Sequence, residues 1–485
     1  MFIAILEMRH TITDHGHLYL FSAFVALTWA IWALKVALSW RYRPWIAPYE
    51  VSTSVVIPVV DEPVDLFAEV LTRIVEQQPT EVIVVINGRR NPVLEQVCEQ
   101  FAPLVQWTWT PVAGKRNAVL LGTEASVGDV VVLVDSDTIW TTDTLPELVK
   151  PFADPAVGGV TTRQRILEPE RGFLTRWADW MENSRALYSM PAQSVLGSVG
   201  CLPGRTIAFR RTVLLDSMQD FMTQQFLGVF LEVSDDRTLT NLALKRGFKT
   251  VYQSTSLVYT DAPTELRKMR KQQLRWSRGS QYNTLRMLPW MLVHTPFLAF
   301  FFLADIILPF LLLVVVIAWG VRLATHTGQN LYVGLLHLHD RWVSIVAIVL
   351  LTILMSTLSM ALRQIRHIEE RPVDLLLMPV YTVFSSVFLM PLRMYGFLRL
   401  GHIGGWGTRA DAYVADQGEA TSGSDVRPGR EHPEGLTSSP ALAARLPTSP
   451  LRSPRSQPGD PRALVTYLIA VAAVTLGVLY DAQLV

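Results

Sequence analysis

The stretch Asp135-Ser136-Asp137 follows directly on the apolar run 130–134, which puts two carboxylates on a turn at the end of a strand. At this spacing they can bind a hard divalent cation and leave its other positions to diphosphate oxygens. Plain turns and helix caps use the same pattern. A second apolar run, 82–86, ends in the polar pair Asn87-Gly88. Further along, residues 263–291 hold Arg267, Lys268, Arg270, Lys271, Arg275, Arg278 and Arg286, interleaved with Trp276, Tyr282 and Trp290. Basic and aromatic residues mixed in this way describe a helix lying at a membrane surface, with a solvated face as the alternative.

The elements that must hold these residues fall into distinct segments. Residues 1–49 contain an apolar stretch, 18–40, long enough to cross a hydrocarbon layer and carrying only Lys35 as a charge. It exceeds the apolar core of a secretory signal and lacks a clear cleavage site, so it reads as an anchor helix. Lys35, Arg41 and Arg43 follow its centre and place the next domain on the cytoplasmic side, although Arg9 stands on the other flank. Residues 50–262 alternate short all-apolar runs with helix-length polar stretches, the pattern of an α/β domain with a parallel sheet buried on both faces. Such sheets bind their ligands at the carboxyl ends of the strands. Residues 263–294 form the basic and aromatic interfacial region, and 295–371 hold two further expected spans, 296–321 and 342–362, the first interrupted by Asp305. An acid at that depth is expected to face a bundle interior or a polar path.

Residues 372–409 are long and apolar but broken by Pro379 and Pro391, with Arg363, Arg366 and Arg371 before the apolar part and Arg393, Arg399 and Arg409 after its centre. Basic flanks at both ends place both on one side, which predicts a re-entrant or interfacial segment. Residues 410–462, rich in Ser, Pro, Gly and Arg, predict a disordered linker, and 463–485 a final span. The composition agrees with a membrane protein: of 485 residues half are hydrophobic and 18% charged, and mean hydropathy is positive. With 43 basic against 42 acidic residues, nothing points to nucleic acid. Two cysteines, Cys98 and Cys201, exclude a disulfide framework and a cysteine-based metal site.

Beside Asp135 to Asp137 stand further motifs: Ser-Val-Val-Ile-Pro-Val-Val-Asp-Glu from Ser54 to Glu62, Gly-Lys-Arg-Asn from Gly114 to Asn117, Val-Ser-Asp-Asp-Arg-Thr-Leu-Thr-Asn from Val233 to Asn241, and Gln-x-x-Arg-Trp at Gln272 to Trp276. In these, and in Trp-Gly-Thr-Arg at Trp406 to Arg409, the chain resembles the processive family 2 glycosyltransferases, in the branch of hyaluronan synthases, chitin synthases and nodulation N-acetylglucosaminyltransferases. The resemblance implies a Rossmann-like α/β GT-A catalytic domain inserted in an α-helical transmembrane protein. It implies inverting sugar transfer from a UDP-sugar to a growing polysaccharide, at the cytoplasmic face of the plasma membrane of a multi-pass protein.

Under the resemblance Asp236 is the base that deprotonates the acceptor hydroxyl, with Asp235 repelling it and raising its pKa. A capped helix start before Leu239 is the alternative. Asp137 is the metal ligand for Mg²⁺ or Mn²⁺, and Asp135 contacts the ribose or the metal. Lys115 and Arg116 stand where the family binds the nucleotide, and Pro58 and Glu62 match the first strand turn against the base. Gln272, Arg275 and Trp276 close over the donor and the acceptor end, Arg275 suiting a diphosphate and Trp276 a sugar ring; both also suit snorkelling at a membrane surface. Trp406 and Arg409 belong to the same substrate-binding set. Relatives carry an acid where this chain has Asn87, whose amide can still pair with a base edge. Relatives also have Ser-Gly-Pro before a Tyr-Arg-Arg turn, where Cys201 to Arg211 here reads Cys-Leu-Pro-Gly-Arg-Thr-Ile-Ala-Phe-Arg-Arg. Arg205 there favours a carboxylated sugar if it points inward, or else pairs with a nearby acid. A non-processive transferase acting on a lipid carrier, and a catalytically dead membrane scaffold, are the rival readings.

Overall fold

A computed structural model describes residues 20–228, 230, 233–325, 341–400, 437–446 and 463–482. The chain divides into two compact units: residues 38–290 with 402–459, and residues 1–37, 291–401 and 460–485.

The first unit is built on a nine-stranded sheet in the order β5-β8-β6-β7-β4-β1-β2-β3-β9. Its strands are β1 (Thr53–Val59), β2 (Glu81–Asn87), β3 (Val105–Thr110), β4 (Val130–Val134), β5 (Thr138–Trp140), β6 (Val157–Ile166), β7 (Thr206–Arg210), β8 (Lys249–Thr260) and β9 (Thr437–Ser438). Parallel pairing joins β4, β1, β2 and β3, with Val55 beside Val82 and Val132; antiparallel β7 then links this half to β6 and β8. Every residue of β1, β2 and β4 is buried, as the unbroken apolar runs predict.

Because side chains alternate along a strand, Val55, Ile57 and Val59 meet Phe67, Val70, Leu71 and Ile74 of the Val64–Val75 helix on one face. Val56 points to the other face, against Val119 and Leu121 of the Lys115–Ala125 helix. That helix lies so close that a Cβ at Gly122 would stand 2.3 Å from Val56 Cγ1, so a larger residue would lift it off the sheet. The parallel strands end together, which brings Glu62, Asn87 and Asp135 to one edge of the sheet.

Two expectations are corrected in this unit. Part of the expected disordered linker is ordered: Thr437 pairs with Trp109 and Ser438 with Thr108, covering the open edge of β3. Leu442 is fully buried, and Arg445 Nη1 lies 2.7 Å from the buried Glu81 Oε2 and also bonds Gln106, so the segment is held by an apolar and an ionic anchor. The basic stretch after β8 is one helix, Leu266–His294, and it is more than a surface helix. Met269, Gln273, Ser277, Gln281, Tyr282, Asn283 and Thr284 are buried along it.

In the second unit, helices Leu20–Ser39, Pro296–Arg322 and Asp374–Leu398 are long and apolar enough to cross a membrane, with 20, 27 and 25 residues. The other expected spans are helical over Arg341–Arg363 and Ala463–Asp481, with shorter apolar parts at Val349–Arg363 and Tyr467–Asp481. Asp481 accepts from the Leu20 backbone N–H at 3.1 Å and lies 3.5 Å from Arg322 Nη2, tying the last helix to the first. The region expected to be re-entrant is helical throughout 374–398. Pro391 has no N–H to give, and the widened π turn Ser385–Leu389 before it lets the helix pass the proline without breaking. Asp305 stands exposed on its helix rather than in a packed interior.

Candidate active site

Three loops and two helix N-termini meet at the carboxyl edge of the sheet. After β4, the backbone N–H of Asp135 donates to the Arg205 carbonyl at 3.0 Å, and the Ser136 hydroxyl donates to Glu62 Oε1 at 2.8 Å. The acid turn is thereby fixed to the loops entering β7 and leaving β1. Lys115, first residue of its helix, forms an ion pair with Asp135 Oδ1. Burial works against charge on Lys115, but Asp135, Asp235 and Asp236 outweigh it, and its pKa rises above the ordinary lysine value.

Asp235 and Asp236 open the Asp235–Lys245 helix, where the partial positive charge of the helix N-terminus favours carboxylates. The alternative reading, a capped helix start, finds no side-chain bond: Ser234 takes a left-handed conformation, φ +66°, and makes no capping bond. A Cβ at Gly279 would lie 2.5 Å from Ser234 Oγ, so the Leu266–His294 helix approaches this turn closely. Asp236 Oδ1 accepts from the Arg237 N–H at 2.8 Å and Oδ2 from the Gly204 N–H at 3.2 Å. Burial raises its pKa above the usual carboxylate range; the Arg237 hydrogen bond and Lys115 act against this, while Asp235 and Asp135 add to it. The repulsion by Asp235 expected from the sequence is present, but burial is the larger cause. Cys201 Sγ lies 3.9 Å from Asp236 Oδ2; burial pushes this thiol up to about 12, so it remains a neutral, weak donor.

Several expected ligands hold the site rather than face a substrate. Arg116 is buried, its Nε 2.7 Å from Asp235 Oδ1 and its Nη1 2.8 Å from the Phe221 carbonyl, with its guanidinium 4.9 Å from the ring centres of both Phe221 and Phe230. It braces Asp235. Asn87 is likewise buried: its amide N–H donates to the Val59 carbonyl at 3.0 Å and its oxygen accepts from the Gly114 N–H at 3.1 Å, which joins β1 to the Lys115 helix. Pro58 lies inside β1, buried beside Val85, and not in a turn. Arg205 is the paired case: its Nη1 lies 2.9 Å from Gln164 Oε1 and 3.2 Å from Glu182 Oε1.

Gln272, Arg275 and Trp276 are half-buried on the Leu266–His294 helix, at a spacing that puts them on one face. Trp276 comes within 5.6 Å of the Arg205 guanidinium, measured to its ring centre. Trp406 and Arg409 lie outside the described residues. Among the described residues no three His, Cys, Asp or Glu side chains cluster as a ready metal cage. Asp137, half-buried beside Asp135, leaves a carboxylate pair of the kind that shares a cation with substrate phosphates.

The residues that sequence reasoning missed are mainly the braces. Arg237 Nη2 donates to Thr284 Oγ1 at 2.7 Å and Asn241 Nδ2 to Asn283 Oδ1 at 3.1 Å, which fastens the Asp236 helix to the Trp276 helix through buried polar pairs. The run Ser277, Ser280, Gln281, Asn283, Thr284 in a helix otherwise basic and aromatic was the available signal. Gly204 is equally specific: a Cβ there would meet Asp236 Cβ at 3.3 Å and Lys115 Nζ at 3.6 Å.

The fold and this edge define a glycosyltransferase-type domain, and comparison with known proteins agrees. Residues 50–279 match the model described as glycosyltransferase like family 2. The hyaluronan synthase of Streptococcus pyogenes is 28% identical over 387 residues, 78% of this chain and 88% of the relative. An N-acetylglucosaminyltransferase of Mesorhizobium japonicum is 28% identical over 76% of this chain and 84% of its own length, and one of Rhizobium meliloti 32% identical over 51% and 60%. Among solved structures, a mannosyltransferase from Pyrobaculum calidifontis, in complex with GDP-Man and Mn²⁺, shares the fold with a TM-score of 0.50 at 19% identity, over 76% of this chain and 99% of that one. The sheet is the GT-A fold, and residues 50–279 form a family 2 glycosyltransferase-type domain in a chain similar to hyaluronan synthases and nodulation N-acetylglucosaminyltransferases. It is a glycosyltransferase.

Proposed function

We propose that this enzyme is an inverting, metal-dependent transferase that moves a sugar from a UDP-sugar to the end of a growing polysaccharide, processively, at the cytoplasmic face of the plasma membrane. The observation that carries the reading is the junction at Gly204: Asp236 and Lys115 both lie within 3.8 Å of one point beside it, and the next residue holds the Asp135 turn and faces Trp276. A base and a cation paired with the acid turn thus meet at one place, and Arg205 beside them links that turn to an aromatic ring.

Trp276 supports the acceptor sugar by stacking, with Gln272 and Arg275 on the same helix face closing over donor and acceptor. Asp236 takes the proton of the acceptor hydroxyl as that oxygen bonds the anomeric carbon from the face opposite the leaving diphosphate. The carbon–oxygen bond to the diphosphate breaks, and the anomeric centre inverts. A raised pKa suits this role, because a stronger base draws the hydroxyl proton more readily. Lys115 supplies positive charge next to the diphosphate. Asp137 and Asp135 would hold Mg²⁺ or Mn²⁺, which when bound would neutralise the leaving group; their oxygen donors suit a hard cation, and Mn²⁺ accompanies the fold in the Pyrobaculum calidifontis mannosyltransferase.

Uridine is favoured by the family resemblance. With Asn87 spent on backbone, the base edge is read by other groups at the same edge. The apolar helices support a multi-pass membrane placement, with the lipid bilayer as the immediate partner. Incubating membranes that contain the enzyme with a panel of radiolabelled UDP-sugars and metals tests the reading: polymer dependent on Mg²⁺ or Mn²⁺ is expected. Discrete lipid-linked monosaccharides would replace it with the non-processive reading, and no incorporation from any UDP-sugar would remove the donor assignment.

A further inference from the structure

Arg205 closes the turn Gly204-Arg205 that leads into β7, and its main-chain carbonyl accepts the Asp135 N–H at 3.0 Å. Its side chain turns the other way. The side chain is 11% exposed, with Nη1 2.9 Å from Gln164 Oε1 and 3.2 Å from Glu182 Oε1, and the guanidinium carbon lies 5.6 Å from the centre of the Trp276 ring. Gln164 is itself fixed, its amide donating to the Pro203 carbonyl at 3.0 Å, and Glu182 also receives Arg185 at 3.2 Å. A planar cation held on one edge by two anchored oxygens presents its flat face in one orientation, which is how arginine attracts an indole ring.

We propose that Arg205, held by Glu182 and Gln164, is a positioning residue that fixes the Trp276 ring and thereby sets how tightly the acceptor sugar is bound. This rests on the reading that Trp276 carries the acceptor. It replaces the idea that Arg205 selects a carboxylated sugar, since its Nη1 is already engaged by Gln164 and Glu182. The main-chain bond to Asp135 belongs to the same residue, so the acceptor platform and the acid turn keep a common register. Changing the side chain leaves that backbone bond in place and separates the two functions.

The full-length enzyme in detergent or nanodiscs, with its UDP-sugar donor and an added oligosaccharide acceptor, tests this through R205M, R205K, E182Q, W276A and the R205M/W276A double variant. R205M is expected to raise the acceptor KM about tenfold, the size carried by a partly desolvated cation–π contact, with the donor KM little changed. R205K keeps the charge without the planar face and is expected to fail in the same way, and it carries the test if R205M does not fold. E182Q shifts the acceptor KM in the same direction by less. In the W276A background R205M is expected to add nothing, which a merely structural arginine would not satisfy. Additive effects of R205M and W276A, or a rise in donor KM instead of acceptor KM, would overturn the proposal. If W276A alone left the acceptor KM unchanged, the assignment of the acceptor to Trp276 would fall, and the proposal with it.

Discussion

Replacing Arg116 by methionine separates bracing from donor binding. The side chain is 1% exposed and lies 2.7 Å from an Asp235 carboxylate that is itself 11% exposed, so the substitution leaves a buried charge without its partner. Breaking such a pair costs about 3–5 kcal/mol. Methionine still fills the space between Phe221 and Phe230, which keeps a cavity out of the comparison. For a domain of this size each kcal/mol moves the melting temperature by about 2–4 °C, so a fall of roughly 10 °C is expected. The assay is tryptophan-fluorescence melting of the solubilised enzyme, run beside donor and acceptor kinetics. The donor KM should stay close to the parent value, and a second change, Asp235→Asn, should restore more than half of the lost stability by removing the stranded charge. A melting temperature within about 2 °C of the parent together with a strongly raised donor KM would refute the bracing role and return Arg116 to the diphosphate.

Asp236 works as a base only above its raised pKa, so transfer should climb with pH through that value. Lys115→Met removes a charge that lowers this pKa and should move the limb to higher pH; kcat/KM profiles of both enzymes check the direction. Arg445→Ala strands the buried Glu81 carboxylate, still bonded by Ser54 and the Val127 N–H, and should cost about 1–3 kcal/mol in chemical unfolding without changing kcat. A cysteine at Gly404 should react with impermeant thiol reagents only from the cytoplasmic side, as the basic flanks of 374–398 require; labelling from outside would mean that this helix crosses.

Where local pattern decides structure, the sequence was a sufficient guide. The apolar run 82–86 lies within β2, the run 130–134 is β4, and Asp135 stands at its end because a strand buried on both faces admits polar residues only where it leaves the sheet. Roles that depend on direction were not legible. Lys115 and Arg116 are neighbours, but successive helix positions differ by about 100°, so one reaches Asp135 at the site while the other turns into the core toward Asp235. The same holds for Asn87, whose amide type fits a base edge and a backbone brace equally. The ordered segment near Leu442 was hidden for another reason: Arg445 finds Glu81 at 364 residues' distance along the chain, and no local composition signals such a partner. The bond of Arg205 to Glu182 is of that kind too, though the chain had left pairing with an acid open.

The central claim is that Asp236 takes the acceptor proton, and Asp236→Asn tests it most directly. A carboxyl whose folded pKa is raised contributes stability below the ordinary carboxylate range and loses it as pH rises through the raised value, so the amide should melt at or above the parent temperature at neutral pH. Removing a general base costs about 10²–10⁴-fold in rate. The measurement is single-turnover sugar transfer by the purified variant at saturating UDP-sugar: loss of transfer on that scale, with donor binding and melting temperature kept, is the predicted result. Transfer at the parent rate would contradict the account.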